Sequence, residues 1–444
     1  MPPSDHVPVP YAGPSRQEVI DMRREFLSPS LLTYYSDPLM IVEGSMQWLF
    51  DETGRRYLDF FGGIVTVSVG HCHPKVVEKI REQIERLQHT TTIYLHPNIA
   101  EFGKKIASTM PSGSGLEVCY FTNSGSEANE LAMLMARLYS GHHGLIALRN
   151  AYHGMTNQAM GLCGLHTWKQ PVPQDGGIYH ARLPDRLRGP HGYDDEEAGE
   201  KYAAEIVDLI HHGTTGDVAG FIAEPIQGVG GTIEIPKGFL PRVYEAVRSA
   251  GGLCISDEVQ TGFGRTGTNF WGFENHDVVP DIVTMAKGIG NGAPLAACVT
   301  RSEIAQSMTS RLHFNTYGGN PVSMAAGLAT LDVMLEDDLQ SRCLEIGNYL
   351  LDGLESLKSK HGIVGDVRGQ GLMLGMEFVD DRNSLAPNPA ATAQVHEEAK
   401  NKGLIVGKGG LNGNVLRIKP PMCITRDDCD FAVDVLDRVI AEVN

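Results

Sequence analysis

Two apolar runs in this chain end in ionisable side chains. The run 253–256 is followed by Asp257 and Glu258, and the run 282–285 is followed closely by Lys287. A carboxylate at a strand end can face a ligand, because open α/β sheets bind ligands at the carboxyl ends of their strands. A lysine buried at such a position has a lowered pKa, as imine-forming lysines require. Solvated strand ends are the alternative, which stays open for Glu258.

A further candidate is the segment 123–130, which follows a predicted strand and opens a predicted helix. Ser124 and Glu127 have the spacing of a capping box. Ser124, Gly125 and Ser126 combine small side chains with free backbone N–H groups at a helix N-terminus, an arrangement that favours an anion such as phosphate. A well-capped helix without a ligand is the alternative that these residues alone leave open.

Two other motifs are interpreted as structural. Residues 262–267 match the G-x-G-x-x-G dinucleotide fingerprint, but the aromatic residues that follow predict a loop where the fingerprint needs a helix. His71, Cys72 and His73 lack a distant second pair of ligands, so they predict a turn into a helix at Pro74 and no metal site. The eight cysteines contain no C-x-x-C pair and are expected to be reduced thiols.

Strands that alternate with helices would position these residues. Strands are predicted within 116–122, 219–223, 253–256 and 282–285, and amphipathic helices lie between them. One helix follows Pro74 and places four apolar side chains on one face: Val77, Ile80, Ile84 and Leu87. The alternation predicts an α/β fold with a mostly parallel central sheet.

The two ends of the chain have a different pattern. From about residue 331 onward, two long helical patterns accompany short strands at 372–378 and 415–418. We therefore predict a large domain over 76–330, and a smaller α+β domain formed by the N-terminal segment 1–75 and the C-terminal segment 331–444. The charged segment 185–199 is predicted to be a surface loop.

Composition excludes several classes of function. The 444 residues carry a formal net charge of −17 and no block of five like charges, which argues against nucleic-acid binding. No apolar stretch approaches the ~20 residues of a membrane span. The first residues lack the basic and apolar regions of a secretory signal, and no Arg-rich transit peptide is recognisable.

Taken in their order along the chain, these motifs resemble those of class III aminotransferases, which are fold-type I enzymes that use pyridoxal 5'-phosphate. The resemblance extends over nearly the whole chain and is strongest over 257–265 (DEVQTGFGR) with Lys287 at the expected later position. Four further segments match: 70–74 (GHCHP), 152–154 (YHG), 223–228 (AEPIQG) and 317–321 (YGGNP). Within the class, segments 48–51, 63–70 and 283–292 are most similar to the alanine–glyoxylate aminotransferase 2 group.

The resemblance implies roles for individual residues. Lys287 would be the catalytic lysine that forms an aldimine with the cofactor and moves protons, and Asp257 would keep the pyridine nitrogen protonated. Gln260 would donate to the phenolic oxygen. The remaining cofactor-binding residues that it implies are Ser124, Gly125, Ser126, Tyr152 (stacking on the ring), His153, Glu224 and Thr316.

Thr316 matches a threonine that binds the phosphate of the neighbouring subunit, which implies a homodimer or a dimer of dimers with shared sites. Arg417 matches the arginine that grips the substrate carboxylate, for which its planar fork is suited. Where some relatives carry a glutamate that masks this arginine, the chain has Val229, and where the ornithine branch has a tyrosine it has Ile64. Small acceptors such as glyoxylate or pyruvate therefore fit better than 2-oxoglutarate.

The resemblance thus implies transamination between L-alanine, or a small β-amino acid such as 3-aminoisobutyrate, and glyoxylate or pyruvate. An ω-amino acid–pyruvate aminotransferase or a decarboxylating aminotransferase of the same class is the first alternative. A catalytically inert binding relative is the second, against which the retained Lys287, Asp257 and Gln260 argue. The group implies the mitochondrial matrix, with the cytoplasm as the alternative.

Overall fold

A seven-stranded sheet forms the centre of the computed structural model, which describes residues 1–174 and 176–443. Across the sheet the strands are β4 (Val118–Thr122), β12 (Ala296–Thr300), β11 (Ile282–Met285), β10 (Leu253–Asp257), β7 (Gly220–Ala223), β5 (Leu145–Leu148) and β6 (Ile178–Ala181). Strand β12 runs antiparallel to both of its neighbours, and the other pairs are parallel. Most strands are buried throughout, as expected where helices cover both faces of a sheet.

Smaller sheets are built from the two ends of the chain. One contains β1 (Ile41–Ser45), β2 (Trp48–Asp51), β3 (Arg56–Asp59) and β15 (Leu404–Ile405). Another contains β13 (Val364–Gln370), β14 (Met373–Phe378), β17 (Val415–Ile418) and β16 (Gly407–Gly409). A short hairpin pairs β8 (Ile226–Gln227) with β9 (Ile233–Glu234). Because β15 pairs with β3, the N- and C-terminal segments share one sheet.

Helices connect and cover these strands. They are α1 (Arg16–Phe26), α2 (Gly62–Val65), α3 (Pro74–Arg86), α4 (Pro97–Ala107), α5 (Gly125–Ser140), α6 (Asn157–Leu162), α7 (Ala198–Gly213), α8 (Phe239–Ser249), α9 (Ser302–Gln306), α10 (Pro321–Glu336), α11 (Leu339–Lys360), α12 (Pro389–Asn401) and α13 (Arg426–Val443). Short 3₁₀ turns lie at His166–Trp168, Gly272–His276, Lys287–Gly290 and Ser307–Ser310. The segment α2 is unlike the others, since all four of its residues have positive φ angles.

The predicted α/β fold is confirmed, and each of the four predicted runs contains a strand of the central sheet. The prediction did not place β5, β6 or β12, which are short apolar or mixed runs whose periodicity does not distinguish strand from helix. The loop predicted over 185–199 is found, apart from its last residues, where α7 begins. Within the described residues, no helix is long and apolar enough to cross a membrane.

The helix predicted after Pro74 is present as α3, but most of its apolar face is not covered. Only Val76 of this helix is buried, whereas Val77, Ile84 and Leu87 are each more than 40% exposed. A face of that kind is typical of a surface that meets another protein.

Candidate active site

The ends of β10 and β11 bring Asp257 and Lys287 to one edge of the central sheet. The two strands are parallel neighbours with Asp257 opposite Thr284, and Lys287 follows the end of β11. Lys287 has a φ of +52°, so the chain turns out of the strand direction at this residue. A carboxylate and an amine therefore lie where open α/β sheets bind their ligands.

Asp257 is buried, and both of its carboxylate oxygens have hydrogen-bond partners. Its Oδ2 lies 2.8 Å from Nδ2 of Asn129 and 2.7 Å from Nδ1 of His153, and its Oδ1 accepts from the amide of Val259 at 3.1 Å. Thr284 donates to Oδ1 of Asn129 at 2.7 Å and so fixes that side-chain amide. These three donors fix the position of the carboxylate. His153 thus contacts Asp257, and Asn129 is a site residue that the sequence did not reveal.

Burial lowers the pKa of the Lys287 amine from its ordinary value. The carboxylates of Asp257 and Glu224 oppose this shift, and the guanidinium of Arg417 reinforces it. The net direction favours the neutral amine, which is the form of lysine that attacks a carbonyl carbon.

Glu224 follows β7 and joins two loops of the site. Its Oε1 accepts from the amide of Tyr152 at 3.1 Å, and its Oε2 accepts from the amide of Gly228 at 2.7 Å. Burial raises the pKa of Glu224, which His153 partly opposes. Tyr152 is half-buried, and its ring meets that of Trp168 edge-on with 5.0 Å between centroids.

Glu258 does not face solvent, so the solvated alternative is wrong for this residue. It is buried, and its carboxylate accepts from the hydroxyls of Ser256 and Thr261 at 3.1 and 2.6 Å. The amides of Gly272 and Phe273 donate to it at 2.9 and 2.8 Å. Glu258 therefore organises the 257–273 loop, and as predicted no helix begins within the 262–267 glycine motif.

The start of α5 has unused backbone donors. Ser124 caps the helix, because its Oγ accepts from the amide of Glu127 at 3.3 Å. The carboxylate of Glu127 accepts from the amide of Asn123 and not from that of Ser124, so the predicted capping box is only half formed. Within the described residues, the amides of Gly125 and Ser126 have no hydrogen-bond partner, and they are available to an anion.

The loop after Tyr152 lies directly against the start of α5. Met155 donates its amide to Oγ of Ser126 at 3.2 Å, and Gly154 has a φ of +138°. A Cβ atom at Gly154 would lie 2.4 Å from that Oγ, so only glycine permits this approach. The start of α5, which is predicted to bind phosphate, and Tyr152, which is predicted to stack on the cofactor ring, are thus close to each other.

Arg417, on β17, presents an unpaired charge inside the protein. It is 6% exposed, and its Nε and Nη1 have no hydrogen-bond partner among the described residues. The ring of Phe61 lies 5.1 Å from the guanidinium carbon. Val229 contributes its carbonyl to the amide of Gly410 and supplies no acid, as the sequence predicted. A buried unpaired guanidinium is suited to bind a carboxylate from outside.

Ile64 lies in α2, where Gly62–Val65 form a turn with φ angles between +57° and +65°. Asp59 holds the start of this turn, because its Oδ1 accepts from the amides of Phe61 and Gly62 at 2.9 and 2.8 Å. Its Oδ2 lies 2.7 Å from Nε2 of His71, so this histidine has a carboxylate partner. Ile64 is 43% exposed and borders solvent.

Thr316 lies in an exposed loop. Its neighbour Asn315 is hydrogen-bonded to Asn123 and Glu127 at the start of α5. The exposed position leaves Thr316 accessible from outside this chain.

Gln260 is buried beside Lys419, a second site residue that the sequence did not reveal. The Nζ of Lys419 lies 3.1 Å from Oε1 of Gln260. The signal for Lys419 was its place two residues after Arg417, because side chains at i and i+2 of a strand lie on one face.

Comparison with known proteins identifies the kind of chain that carries this site. The family model of class III aminotransferases matches residues 33–440. A protein of Arabidopsis thaliana named alanine–glyoxylate aminotransferase 2 homolog 2, mitochondrial, is 54% identical over 443 residues, which cover all of this chain and 91% of the relative. The human alanine–glyoxylate aminotransferase 2, mitochondrial, is 46% identical, with coverage of 100% and 90%.

Solved structures agree with this fold. An (S)-enantioselective omega-transaminase from Thermomicrobium roseum superposes with a TM-score of 0.90 at 33% identity, covering 98% of this chain and 100% of its own. A phospholyase from Arthrobacter, solved in complex with phosphoethanolamine, has a TM-score of 0.88 at 34% identity, with coverage of 95% and 99%.

Proposed function

Because this chain belongs to the class III aminotransferases, we propose that it moves an amino group from L-alanine to glyoxylate. Pyruvate as acceptor and a small β-amino acid such as 3-aminoisobutyrate as donor belong to the same proposal. The observation that carries it is the buried, unpaired guanidinium of Arg417, since each of these substrates has one carboxylate to place there. The names of the Arabidopsis and human relatives support the choice of substrates.

The family implies pyridoxal 5'-phosphate, and the residues of the site fit this cofactor. The free amides of Gly125 and Ser126 suit its phosphate, and Asp257 suits its pyridine nitrogen. Tyr152 would stack on the ring, and Gln260 would donate to the phenolic oxygen. When bound, the cofactor supplies an electron sink for the carbanion formed at the substrate's α-carbon.

The chain's own residues would bind the substrate and transfer its proton. Arg417 would hold the carboxylate, and Phe61 packs against the guanidinium and limits its movement. Lys287 would take the proton from the α-carbon, a step for which its lowered pKa supports the neutral amine as base. His153 and Asn129 hold the Asp257 carboxylate in place during this transfer.

We further propose that the enzyme is a homodimer, or a dimer of dimers, in which Thr316 completes the phosphate site of the neighbouring subunit. The exposure of Thr316 supports this arrangement. Apolar side chains on the surface support it too, and those more than half exposed between 90 and 320 are Ile93, Tyr94, Leu95, Val172, Leu312, Phe314 and Tyr317. Location in the mitochondrial matrix is proposed from the names of the relatives, with the cytoplasm as the alternative.

An ω-amino acid–pyruvate aminotransferase is the second candidate, and the omega-transaminase among the similar structures favours it. Both candidates are tested by a matrix of donors and acceptors with purified holoprotein. Alanine with glyoxylate should give the highest kcat/KM. A higher value for an amino acid with a longer spacer, such as 4-aminobutyrate, with pyruvate would favour the second candidate, and release of carbon dioxide would indicate a decarboxylating enzyme. Protein without a cofactor absorbance band would indicate the inert relative.

A further inference from the structure

Lys419 is a fully buried lysine directly behind the candidate site. Its side chain has 0% exposure, and its Nζ lies 3.1 Å from Oε1 of Gln260 and 3.4 Å from the carbonyl oxygen of Gly228. Within the described residues it has no carboxylate at ion-pair distance. Burying a charged group without a counter-ion is costly, so a lysine at this position requires an explanation.

The contact with Lys419 determines which way the Gln260 amide faces. A protonated lysine has only N–H donors, so the oxygen of the amide must lie toward Nζ and the NH₂ group toward the opposite side. Gly228 packs flat against the same amide, because a Cβ atom there would lie 2.2 Å from its Nε2. The Gln260 amide is therefore held on one face by backbone and at its oxygen by Lys419.

We propose that Lys419 is a positioning residue, which holds Gln260 so that its NH₂ group donates to the phenolic oxygen of the cofactor. The inference rests on the proposed function, in which Gln260 is that donor. Lys419 does not contact the reacting atoms itself. Its effect on the reaction would pass through the amide of Gln260.

Without a bound ligand, burial and the charges around Lys419 disfavour its protonated form. Burial, and then the guanidinium of Arg417, lower the pKa of Lys419 well below that of a free lysine. Glu224 opposes this shift, whereas Lys287 and Arg265 add to it. Anionic groups of the cofactor and the substrate carboxylate would restore a favourable environment for the protonated amine.

The absorbance of the holoprotein provides a test that does not depend on turnover. With the cofactor bound, the absorbance would report protonation next to its phenolic oxygen, and a donor to that oxygen, here the Gln260 amide, would favour loss of the proton. Lys419→Met loosens Gln260, so the pH midpoint of the absorbance transition should rise by about one unit, the size expected for loss of one hydrogen bond to a charged group. Lys400→Met is the matched control, because Lys400 is equally buried but pairs with Glu397, and it should leave the midpoint unchanged.

A double-mutant cycle with Gln260→Ala separates the proposal from its premise. If Gln260→Ala alone does not move the midpoint, the proposed role of Gln260 fails. If it does, and Lys419→Met shifts the midpoint equally in both backgrounds or not at all, the positioning role of Lys419 is overturned. Loss of most of the Lys419→Met shift in the Gln260→Ala background supports it.

A measurement of stability and a second variant complete the test. Lys419→Met should fold with an unchanged or higher Tm, since an apolar side chain replaces an unpaired charge. Lys419→Gln keeps an uncharged donor and should shift the midpoint less than half as far as Lys419→Met. Equal shifts in the two variants would mean that the charge acts directly, which would also overturn the proposal.

Discussion

At the scale of single residues, the candidate site holds three basic side chains against two acidic ones. Lys287, Arg417 and Lys419 are opposed by the carboxylates of Asp257 and Glu224, and burial raises the pKa of Glu224 toward its neutral form. Such a site is incomplete without anions, and it should bind ligands that carry phosphate and carboxylate groups.

Lys287→Ala should abolish turnover while the fold remains, because the amides at the start of α5 and the Asp257 network are unchanged. The parent should retain cofactor covalently after borohydride reduction, and the variant should not. Mass spectrometry of the reduced proteins measures this difference. Cofactor attached to a different lysine would contradict the assignment.

Arg417→Ala should lower kcat/KM for glyoxylate, pyruvate and 2-oxoglutarate together by about a hundredfold, since a charge-assisted hydrogen bond contributes about 1.5–3 kcal/mol. Ile64→Arg should selectively improve 2-oxoglutarate, because it offers a partner for the second carboxylate. Steady-state rates with alanine as donor measure both effects. The small-acceptor proposal is wrong if the parent uses 2-oxoglutarate as well as glyoxylate.

At the scale of elements, α2 is the most strained segment of the site region. Left-handed backbone is disfavoured for residues with a Cβ atom, and most of all for β-branched ones such as Ile64 and Val65. The two hydrogen bonds that Asp59 accepts at the start of the turn offset part of this cost. The left-handed turn leaves the Ile64 side chain 43% exposed.

Gly63→Ala should destabilise the protein by about 1–2 kcal/mol, because φ is +59° at this position although its Cβ would have room. Gly103→Ala is the control. It lies inside α4 with 3.8 Å to the nearest atom, so alanine there should stabilise by about 1 kcal/mol through helix propensity. Urea unfolding of both variants measures the free energies. If both substitutions changed the free energy of unfolding in the same direction, the strain at α2 would be contradicted.

Glu397 links α12 to the N-terminal segment. Its environment makes the stability of the folded protein depend on pH. Burial raises its pKa, but hydrogen bonds from Lys400 and from residues 36–37 prevail and lower it to about 2. A carboxyl whose pKa is lowered in the folded state stabilises the fold above its unfolded pKa of 4.5, and this stabilisation is lost as the pH falls toward 2.

Glu397→Gln should therefore lower the Tm at pH 7, and the difference from the parent should shrink steadily below pH 4.5. Glu196→Gln, in an exposed loop, is the control and should change little at either pH. Calorimetry from pH 7 to pH 3.5 measures the difference. A difference that does not depend on pH would exclude the charge of Glu397 as its source.

The sequence predicted what depends on neighbouring residues and missed what depends on distant ones. The strand ends at Asp257 and Lys287 followed from apolar runs. Asn129 and Lys419 were missed, because their partners Asp257 and Gln260 lie more than a hundred residues away along the chain, and only Lys419 had a local signal, its spacing from Arg417. The burial of Glu258 depends in the same way on a loop that folds back over it.

At the scale of the whole molecule, the domain boundaries and the homodimer are two separate predictions. The boundaries at 75 and 330 stay a prediction, which the pairing of β3 with β15 supports. The homodimer likewise stays a prediction. It would explain why the apolar face of α3 is exposed in a single chain.

Subunit sharing can be tested by mixing two inactive variants. In a mixed dimer of Lys287→Ala and Thr316→Val chains, one site carries both lesions and the other carries neither. Random pairing of equal amounts should therefore restore about a quarter of the parental activity. Activity in the mixture against each variant alone measures this recovery. A fully active monomer in sedimentation experiments would refute the shared site.

The pairing of β3 with β15 also governs how the chain can fold during its synthesis. Leu58 and its partner Leu404 are separated by roughly 350 residues, which a ribosome needs on the order of 20–70 s to add. Throughout that interval the edge of β3 has no partner strand, and apolar residues of the same sheet such as Trp48 and Phe50 cannot reach their final packing. The nascent N-terminal segment is therefore a natural client for chaperones, and nascent chains arrested before residue 404 should bind them most strongly.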